Sequence, residues 1–248
     1  MSKTAPKTAL ADPLPCRFTW PPLTAGRLLR RYKRFLTDVH LASGEAVTAH
    51  CPNSGRMTGC AEPGRPVYLS FHETPRRKLK YTWELIDMPG SLVGVNTLVP
   101  NRLVALAAAA GRVPELDGYA AIRTEVAVGS HTRLDLGLTD HEGRITFVEI
   151  KNCTLVEDGR AFFPDAVTAR GRKHLEVLAE LRRAGHRSLI FFLVQRMDAQ
   201  SFSPADRIDP DYGQALRRAM DQGVEALVYD TTIDLEGIAL NRRLPLIL

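Results

Sequence analysis

The chain has 248 residues, of which 44% are hydrophobic and 25% are charged, so it has enough apolar material for one large domain or two smaller ones and need not be disordered. Its 33 Lys and Arg residues against 28 Asp and Glu residues give a net charge of +5. This balance favours polyanionic partners such as nucleic acid without requiring one.

The cysteines and the apolar segments exclude several other classes of protein. The four cysteines form no CxxC pair and have no histidines at zinc-finger spacing, which argues against structural zinc and against a disulfide framework. Free thiols suit a reducing cytoplasm. Residues 1–15 lack the apolar core of a signal peptide, and no run reaches the roughly 20 apolar residues of a membrane span. We therefore expect a cytoplasmic protein without membrane segments and with a flexible N-terminus over residues 1–15.

The next part of the chain, up to about residue 96, predicts a small β-barrel. Short apolar alternations begin at Gly26, Phe35, Val47, Pro66 and Tyr81. Pro-Gly and Ser-Gly turn signals separate them at the intervals that are typical of a barrel. An OB-like barrel is the all-β module that fits best, and we assign residues 16–98 to it.

A second domain is predicted over residues 99–248, because the helix-forming run that follows Asn101 marks a change in character. Strands adjacent in sequence, followed by strand–helix–strand alternation, predict a mixed sheet flanked by helices. The predicted elements are a helix at about 100–110, strands at 121–128, 132–138 and 144–152, a helix at about 167–184, a strand at 188–195, a helix at about 210–221 and a strand at 224–229.

Two of these strands carry the residues with the clearest chemistry. Alternate side chains of a strand share a face, so Glu149 and Lys151 point the same way, and an antiparallel hairpin would bring Asp135 close to Glu149. Two buried carboxylates are costly without a partner, and a divalent cation resolves that cost. Asp135, Glu149 and the Ile150 carbonyl could hold Mg²⁺ or Mn²⁺. Lys151 could orient or deprotonate a water and stabilise charge on phosphorus.

The pattern has a simpler explanation, in which Asp135 and Glu149 are solvated residues on a half-exposed sheet and Lys151 only pairs with Glu149. The helix that follows offers Arg170 and Lys173 as a cationic face for phosphate oxygens, or else an ordinary exposed face. We expect His174 on this helix to form hydrogen bonds and not to bind metal.

Cationic segments of the predicted barrel could contact nucleic acid. Phosphates could be neutralised by Arg30, Arg31, Lys33, Arg34, Arg76 and Arg77. Tyr32 or Phe35 could stack on bases if exposed, but strand alternation predicts that Phe35 faces the barrel core. Asn53 and Arg56 lie in a loop suited to presenting backbone donors, although a tight turn capped by Asn53 and a solvated charge run at residues 76–78 remain alternatives.

Several longer motifs resemble the sugar fermentation stimulation protein A family, and the resemblance spans nearly the whole chain from about residue 18. The motifs are Arg30-Arg-Tyr-Lys-Arg-Phe-Leu, Ala49-His-Cys-Pro-Asn-Ser-Gly-Arg-Met, Arg76-Arg-Lys-Leu, Gly94-Val-Asn-Thr, Glu149-Ile-Lys-Asn-Cys-Thr-Leu and Phe163-Pro-Asp-Ala-Val-Thr-Ala-Arg-Gly-Arg-Lys-His-Leu.

This resemblance implies an N-terminal OB-like domain and a C-terminal domain of the PD-(D/E)xK restriction-endonuclease type, with a role as a DNA-binding protein or as a DNA or RNA nuclease. The nuclease pattern's residues fall on Asp135, Glu149 and Lys151, although Leu134 stands where the pattern has Pro. Glu125, on the preceding strand, is a further carboxylate for the metal or an exposed structural residue.

Two functions remain in competition at this point. The first is a Mg²⁺- or Mn²⁺-dependent nuclease that captures DNA or RNA with its first domain. The second is a DNA-binding transcriptional regulator whose nuclease-like fold no longer cleaves. The sequence decides neither between DNA and RNA nor between a monomer and a homodimer.

Overall fold

The computed structural model describes residues 16–129 and 132–248. The flexible N-terminus predicted for residues 1–15 lies outside the described residues. Within them, no helix combines the length and the apolar character needed to cross a membrane.

A β-barrel forms the first half of the chain, and the short strand β1 (Arg17–Thr19) precedes it. The barrel strands are β2 (Leu23–Tyr32), β3 (Leu36–Leu41), β4 (Ala46–His50), β5 (Pro66–Phe71), β6 (Tyr81–Met88) and β7 (Ser91–Gly94). Their order is β4-β3-β2-β5-β6-β7, and an additional β4–β6 pairing closes the barrel. The predicted OB-like barrel is thus confirmed.

The barrel core contains the inward residues of the alternating strands. Leu28, Val39, Leu69, Trp83 and Ile86 are fully buried there. Leu28 and Val39 alternate with more exposed neighbours, as in a half-buried strand, whereas the residues on both sides of Trp83 in β6 are buried as well.

The rest of the chain folds into a mixed sheet with helices on both faces, as predicted; it supplies six of the seven strands, and β1 supplies the seventh. Its elements are α1 (Val99–Ala109), a 3₁₀ turn (Pro114–Leu116), β8 (Tyr119–Val128), β9 (Thr132–Asp140), β10 (Ile145–Cys153), β11 (Leu155–Glu157), β12 (Arg160–Phe163), α2 (Ala169–Arg183), β13 (Arg187–Val194), β14 (Ser201–Pro204), α3 (Pro210–Asp221), β15 (Glu225–Ile233) and β16 (Gly237–Arg243). The strand order is β1-β16-β15-β13-β10-β9-β8, with β10, β13 and β15 parallel.

Two apolar layers pack on this sheet. Helix α1 covers one face through Leu103 and Val104, and α2 and α3 cover the other, with Leu178 and Leu216 among the buried residues. Helix α2 begins after Thr168, whose hydroxyl accepts a hydrogen bond from Gly171 N at 3.0 Å. This N-cap fixes where the helix starts and therefore which side chains reach the sheet edge.

Hydrogen bonds join the barrel to the second sheet. Gly94 N donates to the Gln195 carbonyl at 3.0 Å, and Met57 N donates to Asp165 Oδ2 at 2.8 Å. A Cβ on Gly94 would lie only 2.4 Å from Gln195 Oε1, so the close approach of the two units requires glycine there. The contact holds the barrel loop of residues 51–57 against the segment that precedes α2.

Two features of residues 16–98 differ from the prediction. Phe35 was predicted to face the barrel core, and that prediction is wrong, because Phe35 lies in the β2–β3 turn and is 47% exposed. Lys33 and Arg34 in this turn have positive φ angles of 47° and 63°. Strand β1 pairs with β16 of the larger sheet, although its residues lie within the range 16–98 that was assigned to the barrel domain.

Candidate active site

A cleft of about 440 Å³ lies between the barrel and the larger sheet. The barrel contributes Asn53 and Gly55 to its lining, and the second domain contributes residues 165–168 and Arg170. Asp135, Glu149, Ile150 and Lys151 also line it. The structure therefore gathers the three residues singled out by the sequence in one cavity.

Asp135 reaches this cleft because β9 and β10 separate there. Their antiparallel ladder ends at Val148 and Leu136, one residue before Glu149 and Asp135 would face each other. Leu136 packs with α1 on one face of the sheet, whereas Leu134 packs with α2 and α3 on the other face. Alternate residues of a regular strand share a face, so the regular alternation of β9 is interrupted at Asp135.

Both carboxylate oxygens of Asp135 accept hydrogen bonds. Asn101 Nδ2 donates to Oδ1 at 2.7 Å, and Ile150 N donates to Oδ2 at 2.7 Å. Burial and the nearby charge of Glu149 raise the pKa of Asp135 to about 6. The ionised form of Asp135 is therefore disfavoured in this environment unless a positive charge lies nearby. Such raised carboxylate pKa values are common at functional sites.

Glu149 is almost completely buried, with 3% of its surface exposed. Its Oε1 accepts hydrogen bonds from Lys151 Nζ at 2.5 Å and from His174 Nδ1, whereas Oε2 is buried without a hydrogen-bond partner. Burial alone would raise the pKa of Glu149, but the hydrogen bond from His174 and the charge and hydrogen bond of Lys151 together lower it. Glu149 is thus held ionised with one oxygen free.

His174 forms hydrogen bonds, as expected from the sequence, and extends the cluster to helix α2. Its Nδ1 also lies 3.2 Å from Lys151 Nζ, and its Nε2 accepts from Arg170 Nε at 3.4 Å. Arg170 is exposed at the cleft, whereas Lys173 is exposed but does not line it. The first turn of α2 therefore contributes one cation, Arg170, to the cavity.

Glu125 does not belong to this cluster. It lies on β8 between the pairs Thr124–Leu136 and Val126–Leu134, but it is exposed, has a positive φ of 53° and does not line the cleft. Of the two explanations for Glu125, the geometry matches the exposed structural residue.

The cationic residues of the barrel fall into two groups. Lys33, Arg34, Arg56 and Arg76 are exposed. The others make contacts within the barrel: Arg31 donates to the carbonyls of Asn53, Gly55 and Arg56, Arg77 donates to Thr82 Oγ1, and Arg30, which is also exposed, pairs with Asp38.

Asn53 and Asp165 shape the loop that forms one cleft wall. Asn53 Oδ1 accepts from Gly55 N at 2.8 Å, and its Nδ2 donates to the Val95 carbonyl at 3.2 Å. A Cβ on Gly55 would lie 2.6 Å from Asp165 Oδ2, so this position also requires close backbone approach. Asn53 therefore caps a tight turn, one of the two roles considered for it, while it lines the cleft.

The sequence pattern did not identify Asn101 or Asp165 as site residues. Each lies far along the chain from its partner, Asp135 or Met57, so no local spacing connects the pairs. An asparagine on the first turn of a helix and an aspartate just before another helix are ordinary boundary residues when read from the sequence alone.

Comparisons with known proteins agree with this architecture. Residues 29–95 match the family model for the SfsA N-terminal OB domain, and residues 98–237 match that for the sugar fermentation stimulation protein RE domain. The sugar fermentation stimulation protein homolog of Pelobacter propionicus is 57% identical over 92% of this chain and 99% of its own length. The homolog of Geobacter metallireducens is 56% identical over 92% of this chain and 98% of its own length.

A solved structure is similar over nearly the whole fold. The structure of Pyrococcus furiosus SfsA in complex with Ca²⁺ matches with a TM-score of 0.85 and 27% identity, covering 93% of this chain and 98% of that chain. Two family models that together cover most of the chain and relatives above 50% identity lead to one conclusion. The chain belongs to the sugar fermentation stimulation protein A family.

Proposed function

We propose that this protein hydrolyses phosphodiester bonds of nucleic acid in the cleft between its two domains, with Mg²⁺ or Mn²⁺ as cofactor. The observation that carries the proposal is the free, buried Oε2 of Glu149 in the same cavity as Asp135 and the Lys151 amine. A buried carboxylate oxygen without a partner is rare in a folded protein, and a cation would satisfy it.

The donor set fits a small divalent cation. Asp135 and Glu149 supply carboxylate oxygens, and the Ile150 carbonyl is a third candidate oxygen. Mg²⁺ prefers oxygen ligands and keeps several waters, so a site with two carboxylates is sufficient. When bound, the cation would polarise a phosphate and lower the pKa of a water. The solved relative from Pyrococcus furiosus, described as a complex with Ca²⁺, is consistent with divalent-cation binding in this family.

The remaining residues of the cleft have roles that follow from their chemistry. Hydrolysis adds a water oxygen to phosphorus and releases one ester oxygen. The Lys151 amine can orient that water or take its proton, and it can stabilise the negative charge that builds on the phosphate. Arg170 and the positive end of the α2 dipole offer positive charge to the phosphate oxygens that do not react.

A polyanionic substrate fits the rest of the molecule. The net charge is +5, and Lys33, Arg34, Arg56 and Arg76 are exposed on the barrel. OB-like barrels bind oligonucleotides, so the barrel would hold the strand while the cleft cuts it. We propose DNA and RNA as the substrates to be compared.

A cleavage assay with matched variants tests the proposal. The purified protein is incubated with single- and double-stranded DNA and RNA in Mg²⁺, Mn²⁺ or EDTA. Lys151→Ala should retain binding but lose cleavage by about 100-fold or more, since its proposed catalytic role lies in the transition state more than in substrate affinity. Lys173→Ala is the control, because Lys173 is an exposed lysine on the neighbouring helix that does not line the cleft. Equal cleavage by the wild type and Lys151→Ala would refute the assignment.

The competing function is a DNA-binding regulator that does not cleave. One observation favours it: Lys151 pairs with Glu149 and His174 also donates to it, so part of the charge of this cluster is neutralised without a metal ion. The same assay separates the two functions. Tight binding of DNA by the wild type without cleavage in any metal would establish the regulator and exclude the nuclease.

A further inference from the structure

A second, smaller cavity lies beside the catalytic cleft. Its volume is about 200 Å³, below the roughly 300–1,000 Å³ of pockets that take drug-sized molecules. Both the barrel and the start of α1 contribute to its walls. An occupant of this cavity would be about the size of a single ring system.

The two cavities share a thin wall, in which neighbouring residues of the chain face different cavities. Pro52 lines the second cavity and Asn53 lines the cleft. Thr97 likewise lines the cleft, whereas its neighbours Asn96 and Leu98 line the second cavity. Thr97 N and Oγ1 both donate to the Pro52 carbonyl, which joins the two segments into one partition. Adjacent residues of one polymer could therefore occupy the two cavities.

The second cavity contains a buried carboxylate. Glu84 lines it with 4% of its surface exposed. Its donors are neutral groups: Ser70 Oγ donates to Oε1 at 2.6 Å, and Asn96 Nδ2 donates to Oε2 at 2.7 Å. A carboxylate has about four acceptor positions, so lone pairs remain for a ligand. A buried acceptor of this kind recognises an amino group, such as the exocyclic amine of a nucleobase.

Apolar, aromatic and basic groups line the same cavity as this carboxylate, and His72 and Arg77 are among them. Leu98 is 63% exposed at the top of the partition. His50 lines the cavity, and the exposed Phe35 stacks on it with a centroid distance of 6.4 Å and an interplanar angle of 22°. Arg102 adds an exposed cation at the rim. Aromatic faces, an apolar wedge and a cation are the groups that hold unstacked bases and their phosphates.

We propose that this second cavity holds one unpaired nucleobase of the strand whose backbone lies in the catalytic cleft. Glu84 accepts a hydrogen bond from the amino group of the base, and Leu98 separates that base from its neighbour. This inference rests on the proposed nuclease function and specifies its substrate class: nucleic acid with a single-stranded or displaced nucleotide next to the scissile phosphate. Bases with an exocyclic amine, such as cytosine, should be preferred over thymine.

Binding to short homopolymers in EDTA, where no cleavage occurs, tests this inference by fluorescence anisotropy. The probes are oligo-dC, oligo-dT, oligo-rC and a fully paired duplex. The wild type should bind oligo-dC at least about fivefold more tightly than oligo-dT, as expected for a base read by one good contact. Glu84→Gln should lose or reverse that preference, because the amide adds a donor where only acceptors stood. Oligo-rC distinguishes RNA from DNA as the source of the base.

Surface variants keep the test independent of the buried network around Glu84. Leu98→Ala should weaken binding to single strands about fivefold or more and leave duplex binding unchanged. Leu106→Ala is the matched control, because Leu106 is an exposed leucine of α1, the helix that Leu98 directly precedes, and it lines neither cavity. Equal binding of oligo-dC and oligo-dT by the wild type, or equal behaviour of Leu98→Ala and Leu106→Ala, would overturn the inference and leave the nuclease proposal intact. Failure to bind or cleave any nucleic acid would overturn both.

Discussion

Lys151→Met should destabilise the metal-free protein, because it removes the cation that neutralises Glu149. The Lys151 and Glu149 side chains are 12% and 4% exposed, and their charged atoms lie 2.5 Å apart. Breaking a buried ion pair costs about 3–5 kcal/mol, because a charge is left uncompensated. Since His174 still donates to Glu149, we expect the lower end, about 3 kcal/mol. For a chain of this size, that loss lowers the melting temperature by roughly 6–12 °C.

A bound cation should reverse most of this loss. If Mn²⁺ binds between Asp135 and Glu149, it supplies the positive charge that Lys151 no longer provides. A ligand that binds only the folded state stabilises it by about 2.7 kcal/mol at 100 times its dissociation constant. The variant should therefore gain more from Mn²⁺ than the wild type does, and the difference between their melting temperatures should become small. Cleavage should nevertheless remain absent, because Lys151 itself is missing.

Thermal unfolding in EDTA and in saturating Mn²⁺ measures both effects. Lys173→Met is the control, since removal of this exposed lysine should change stability by no more than about 0.5 kcal/mol. An equal loss for Lys151→Met with and without Mn²⁺ would refute the reasoning, because it would mean that no cation replaces the ammonium group. A change no larger than that of Lys173→Met would show that the ion pair has little effect on stability.

Three further predictions address the electrostatics and the domain contact. Burial raises the pKa of Asp135 to about 6, so protons should compete with the metal for this carboxylate. The affinity for Mn²⁺, measured by calorimetry, should therefore fall about tenfold per pH unit below 6 and stay nearly constant above 7. An affinity that does not change from pH 5 to 8 would contradict this. Asp165→Ala should cost about 1–3 kcal/mol and speed amide exchange at Met57, whose N–H loses its acceptor; unchanged exchange would contradict it. In the double variant Lys33→Ala/Arg34→Ala, the slope of log affinity against log salt for duplex DNA should fall by about 1.8, and an unchanged slope would remove this turn from the binding surface.

Local periodicity was sufficient to predict that Asp135, Glu149 and Lys151 lie close together. The two-residue spacing of Glu149 and Lys151 placed both on one face of β10, and the turn after β9 supplied the antiparallel hairpin. These relations depend on neighbours in sequence, where the geometry of a strand leaves little freedom. The same is true of the barrel strands and of helices α1, α2 and α3, whose caps and apolar periods are local signals.

The sequence pattern did not predict the contacts between distant segments of the chain. The partnership of Asn101 with Asp135 and the pairing of β1 with β16 depend on how distant segments pack. The prediction for Phe35 failed for a local reason. The alternation of a strand was extended into the β2–β3 turn, where alternate residues no longer share a face. The short strands β11, β12 and β14 were not predicted, because three or four residues carry too little periodicity to be distinguished from loops.

The placement of the cleft at the domain contact means that the nuclease-like sheet does not hold the complete site by itself. Asp135 is held by Asn101 at the start of α1, and this helix directly follows the segment whose Thr97 is bonded to Pro52 of the barrel. Asp165, just before α2, holds the barrel loop through Met57. A displacement of the barrel would therefore disturb both cleft walls together with the hydrogen bond that orients Asp135. If the barrel binds a nucleic-acid strand as proposed, that strand would act on the same segments that position the carboxylates, and binding would be linked to the geometry proposed for hydrolysis.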